Sequence, residues 1–240
     1  MQEITNLAGG AIIGFGLAWM LERWEMSFVR RLSVDEPEEL LQENAKIFKK
    51  FSPQWGIYIG MTITAAGLSE WRQWSPEFLN DLILITALVG IAWIDRKTLL
   101  IEGRLIALAM GLRLLWLSFF APQEILNSLT GLLIGAGILY FIGFLYETFR
   151  HRQGLGEGDA AVLGLIGLWV GWQGLGTVLL IAALSGIIIG GISLLRQRKT
   201  NQNIPDLLQT QIPFAPFLCL GGLIVYFLQE TGFIMKGFGF

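Results

Sequence analysis

A single cysteine, Cys219, and a single histidine, His151, are all that this chain offers of the two side chains on which most zinc and redox sites depend. One cysteine excludes an intramolecular disulfide and any cysteine-rich zinc site within the chain. One histidine excludes a metal cluster of histidines, and a Ser-His pair would need Ser185 or Ser193 to reach His151 in the basic stretch RHRQG. His151 reads as a solvated loop residue, and neither metal nor cofactor is expected. Charge is also scarce: 15% of 240 residues are charged and the formal net charge is -2. No strong field of one sign is available, so nucleic acid is not expected as a partner. No lysine- or arginine-led leader with an A-x-A-like site opens the sequence, and the first apolar run is expected to stay as a helix.

What the chain has is apolar residues, 53% of the total, with 9 Trp, 16 Phe and 30 Gly. That profile fits an all-α, polytopic membrane helix bundle. Apolar runs fall near 7–21, 55–69, 80–94, 105–120, 128–146, 160–171, 174–195 and 212–228, about eight transmembrane helices. Composition changes most sharply near Ser75–Pro76, which suggests N-terminal helices over 1–79 and a core over 80–240. There is no internal repeat.

The basic residues orient this topology. Arg23, Arg30, Arg31, Lys46, Lys49 and Lys50 fall in 22–54, and Arg96, Lys97 and Arg104 in 95–104. Arg150 and Arg152 fall in 147–159, and Arg196, Arg198 and Lys199 in 196–211. These alternate loops hold 14 of the 17 basic residues, so they are expected to face the cytoplasm, with both termini outside. In the first of them, DEPEELLQENAKIFKKF repeats apolar residues at helical spacing, with its acidic half before its basic half. It reads as a helix lying on the membrane surface, or as an element that docks substrate.

Ionisable groups are costly in hydrocarbon, so carboxylates at span ends are where chemistry is expected. Asp95 follows LILITALVGIAWI, and Asp159 follows Gly154-Leu155-Gly156-Glu157-Gly158 at the entrance to another apolar run. Both belong to the cytoplasmic side, at similar depth on different helices. Asp159 also has a plain reading as a helix cap. Asp95 does not, because the C-terminal end of a helix disfavours an anion. The glycines beside Asp159 allow unusual backbone angles and close approach of a substrate strand.

Three segments in order, AWID at 92–95, GLGEGDAAVLGLIGLWVGWQGL at 154–175 and IPFAPFLCLGG at 212–222, resemble the type IV prepilin peptidase family. The second contains that family's GxGD signature. The resemblance implies a membrane aspartic endopeptidase in which Asp95 and Asp159 are catalytic and Gly156, Glu157 and Gly158 form the loop flanking the second aspartate. It further implies a site at the cytoplasmic face of the cell membrane, and as partner a prepilin or pseudopilin-like single-pass protein whose leader is removed. Pro213, Phe214 and Pro216 interrupt regular helix and are expected to shape a cavity beside the site. Family members usually carry a proline and a polar residue where this chain has Glu102-Gly103, and a valine-lysine pair where it has Ala160-Ala161. The family's first cytoplasmic loop often holds paired cysteines that serve a methyltransferase activity. Here that loop has none, which gives little ground for carrying the methylation over. Two other readings stay open: a transporter or channel in which the aspartates bind an ion or relay protons, and an inactive relative that acts only as an assembly partner.

Overall fold

The computed structural model describes residues 2–35, 55–150, 156–199 and 213–232. Every element among the described residues is helical: α1 Gln2–Asp35, α2 Trp55–Arg72, α3 Pro76–Thr98, α4 Gly103–Phe120, a short 3-10 turn Pro122–Glu124, α5 Ile125–Arg150, α6 Glu157–Lys199 and α7 Ala215–Glu230. The reason is the solvent. Hydrocarbon offers no hydrogen bonds to the backbone, so an apolar run must satisfy its own N–H and C=O groups, as a helix does. Five described helices are long and apolar enough to cross a membrane: Glu3–Arg31, Pro76–Thr98, Gly103–Phe120, Pro122–Phe149 and Gly158–Ile189. Eight runs were expected. The difference lies in α7, which is apolar but shorter, in α2, which is not among the five, and in two runs that share α6.

The chain forms two compact units, Met1–Thr86 and Ala87–Phe240. In the first, α1 and α2 run antiparallel. A side-chain carbon on Gly10 would meet the Ala65 and Ala66 backbone, and one on Gly14 the Met61 and Thr62 backbone, so the two helices touch along their backbones. The first expected cytoplasmic loop begins later than its charges suggested, because α1 continues through Glu22, Arg23 and Glu25 to Asp35. Its polar residues are accommodated within the helix pair: Tyr58 donates to Glu22, and Glu25 is buried. Most of the amphipathic segment expected after it lies outside the described residues, as do His151 and Gly154.

The second unit is organised by α6. Gly171 has φ 68° and ψ 174°, a conformation open almost only to glycine, and it divides α6 into a first arm, 157–170, and a second, 172–199. The arms fold back on each other. A side-chain carbon on Gly222 of α7 would lie 3.0 Å from Ile166, and one on the adjacent Gly221 would lie 2.8 Å from the Val178 carbonyl. Ile166 and Val178 therefore sit at one level, whereas twelve residues of straight helix would separate them by about 18 Å. The boundary expected between 171 and 174 falls at this reversal.

From Ala160 onward the first arm is apolar all round and, apart from the half-buried Ala161, buried. Val162, Leu163, Leu165, Ile166 and Leu168 have no solvent exposure, as expected of a helix with no polar face. Along one side, Gly131 of α5 and Gly167 of the arm meet backbone to backbone, and Gly135 meets Leu163 in the same way. Small residues permit such contact where no hydrophobic effect drives helices together.

Candidate active site

Asp95 lies in the last turn of α3, beside Arg96 and Lys97, which complement the negative end of the helix. Lys97 places its ammonium 4.5 Å from the centre of the Trp93 ring. The helix ends three residues after Asp95, at Thr98: Leu99 donates its N–H to the Asp95 carbonyl at 2.8 Å and takes φ 55°, the left-handed conformation that closes a helix. Thr98 accepts the Leu100 N–H and donates to the Ile94 carbonyl. The turn is thereby held, and the chain passes through Ile101 and the buried Glu102 into α4.

Asp159 comes from the other direction. It was read as preceding its helix, but α6 already begins at Glu157, and the Asp159 N–H bonds the Gly156 carbonyl at 3.0 Å. Asp159 is thus a first-turn residue, where the helix dipole favours an anion. Gly158 is helical, and the positive-φ glycines of the described chain are Gly171 and Gly232. The unusual backbone angles expected of Gly156 and Gly158 are therefore absent.

The two carboxyl groups interact electrostatically, and both also act on Cys219, which is wholly buried in α7. Asp95 as a residue is only 4% exposed. The Ala215 backbone N–H, in the first turn of α7, faces its carboxyl. Its Oδ2 is buried with no hydrogen-bond partner. Within the second unit it is the one such buried side-chain oxygen or nitrogen among the described residues. A buried polar atom left unsatisfied calls for an explanation.

Of the other expected residues, Pro213 and Phe214 precede α7 and Pro216 stands in its first turn, where proline needs no hydrogen bond. They bring Ala215 to Asp95. A side-chain carbon on Gly156 would lie 3.5 Å from the Asp159 carboxyl. Glu102 lies at the N-cap of α4, its carbonyl accepting from Leu105 and Ile106. Three residues of the site were not singled out for it in the sequence: Ala215, Cys219 and Ile101. Ala215 contributes a backbone amide, which no residue type encodes. Cys219 carries no signal beyond its position one helical turn after Ala215. Among the described residues no group of three or more His, Cys, Asp or Glu is arranged to hold a metal ion.

Two acidic side chains carried by different helices of an apolar helical bundle thus lie close enough to interact. Residues 82–191 match the model of the type IV leader peptidase family. The chain is 34% identical to the Escherichia coli (strain K12) "Prepilin leader peptidase/N-methyltransferase" over 177 residues, covering 73% of this chain and 75% of that protein. It is 31% identical over 187 residues to a protein so described from Legionella pneumophila, and 34% over 186 residues to one from Pectobacterium carotovorum subsp. carotovorum. These alignments span 61% and 58% of the relatives' own lengths. No solved structure matches. The chain belongs to the type IV leader peptidase family, whose members cleave the leaders of type IV prepilins. By class it is a prepilin peptidase, a multi-pass protein of the inner membrane.

Proposed function

We propose that Asp95 and Asp159 are the catalytic pair of this aspartic endopeptidase, which cuts the leader from a prepilin- or pseudopilin-like single-pass substrate at the cytoplasmic membrane face. The observation that carries this reading is the unpartnered Oδ2 of the buried Asp95 beside a second carboxyl from another helix. Such a pair can hold a water molecule between its members. One carboxylate takes a proton from that water as it attacks the scissile carbonyl carbon, and the other, protonated, donates to the carbonyl oxygen. Collapse of the tetrahedral intermediate returns one hydroxyl proton to the carboxylate while the protonated partner gives its proton to the leaving amine, so the pair again shares one proton.

The cytoplasmic assignment rests on the distribution of lysine and arginine, which concentrates on the side of Asp95 and Asp159. Methyl transfer is not part of the proposal, since the one cysteine is buried in α7 and no cysteine pair exists. The test is cleavage of a prepilin-like substrate by the purified chain in lipid nanodiscs, with Asp95→Asn and Asp159→Asn alongside. Wild-type cleavage with loss in both variants supports the pair. Cleavage retained by Asp159→Asn would remove it, and no cleavage of any candidate substrate by the wild type would favour the inactive-partner reading.

A further inference from the structure

The glycine before Asp159 has a neighbour that explains it. A side-chain carbon built on Gly158 would lie 2.7 Å from Cδ1, 2.8 Å from Cβ and 3.1 Å from Cγ1 of Ile101. Real carbons do not approach so closely, and Cβ of Ile101 is fixed to its backbone and cannot swing away. Gly158 is helical, so its missing side chain serves no unusual backbone angle. It serves the contact. Ile101 stands on the link that leaves α3 six residues after Asp95, and that link is braced by the left-handed Leu99 and the Thr98 hydrogen bonds. The link from one aspartate thus presses a branched side chain on the residue next to the other.

Taking the aspartate pair as proposed above, we infer that Ile101 is a positioning residue: its side chain, seated on the bare Cα of Gly158, is the stop that sets how far the Asp159 carboxyl lies from that of Asp95. A β-branched side chain suits a stop, because its χ1 is confined and its bulk begins at Cβ. Hydrolysis by a carboxyl pair tolerates little error in their separation, since a displacement near 1 Å can cost on the order of 10²-fold in rate. Ile101 touches neither water nor substrate in this scheme. It acts through Asp159.

The test exchanges the two side chains. Gly158→Ala, which drives the start of α6 off Ile101, is expected to lower kcat about 10²-fold with KM within about threefold. Ile101→Gly in the Gly158→Ala background frees the space for the new methyl group and is expected to restore at least about tenfold of that loss. Gly158→Ala with wild-type kcat, or a folded double variant no better than Gly158→Ala, overturns the inference. If the double variant does not fold, the series Ile101→Val, Ile101→Ala and Ile101→Gly with Gly158 intact decides: kcat falls stepwise at nearly constant KM if Ile101 is the stop, and a flat kcat overturns it. Asp159→Asn, assayed in parallel, separates the two levels of argument. If it stays active, the pair itself is wrong; if it is dead while the exchange fails, only the stop is.

Discussion

Asp159 and Val170, near the two ends of the first arm of α6, are eleven residues, or roughly 17 Å, apart, and these ends treat buried polarity in opposite ways. At the Gly171 end, the reversal strips carbonyls of their helical partners, and side chains from other helices replace them. Gln229 of α7 donates to the Val170 carbonyl at 3.1 Å, and the buried Arg113 of α4 donates to the Leu168 carbonyl at 3.5 Å. Arg113 also reaches Glu124 at 3.9 Å and lies over Trp116 and Trp169. At the Asp159 end, a buried carboxyl oxygen is left without a partner. Completeness marks the first end as structural. Incompleteness at the second fits the catalytic pair proposed above, which needs an oxygen free to hold a water molecule.

The comparison predicts that substitutions at the two ends separate activity from stability. The largest effect belongs to the aspartates. Asp95→Asn and Asp159→Asn are expected to lower cleavage by roughly 10³-fold or more. Their denaturation midpoint in detergent should match or exceed the wild type, because a neutral amide is cheaper to bury than a carboxylate. A variant that loses activity only by unfolding would erase the distinction.

At the other end the expected loss is in stability. Gly171→Ala places a carbon 2.8 Å from Asn127 Nδ2 and forces a side chain into a glycine conformation, at a cost of about 3 kcal/mol. Gln229→Leu leaves the Val170 carbonyl unbonded and is expected to cost about 1–2 kcal/mol. Both are read by denaturant titration of the purified protein, with kcat of the folded fraction within a few-fold of wild type. The smallest effect is expected at Leu99, half exposed in its left-handed turn. Leu99→Gly relieves strain but gives the unfolded chain more freedom, so the net change in stability should stay under about 1 kcal/mol. A large loss there would mean that the turn depends on the leucine side chain and not on its backbone.

How much of this was legible in the sequence follows the same division. The aspartates were legible because charge at the end of an apolar run is rare enough to stand out. The reversal at Gly171 was legible as a gap between two runs, although not its direction, which depends on α7 touching both arms. The course of α1 was misread at Glu22, where three charged residues in four looked like the start of a loop. A tyrosine thirty-six positions away in the chain, and burial of Glu25, make those residues part of a helix. Contacts at such separation leave no trace in a local pattern. The Ile101–Gly158 contact is of that kind as well: the glycine was visible and was credited with backbone freedom, while its neighbour was silent. Likewise, an amide at the start of α7 cannot be read from an alanine.

The late place of α7 in the chain has a consequence for how the enzyme is made. Both aspartates and the whole α6 hairpin emerge from the ribosome before the helix that carries Ala215, Cys219 and Gln229. A nascent chain arrested ahead of residue 213 would own its acidic pair without the amide beside it or the clamp on the hairpin's apex. Under the assignment proposed above, proteolytic competence would then wait for the insertion of α7.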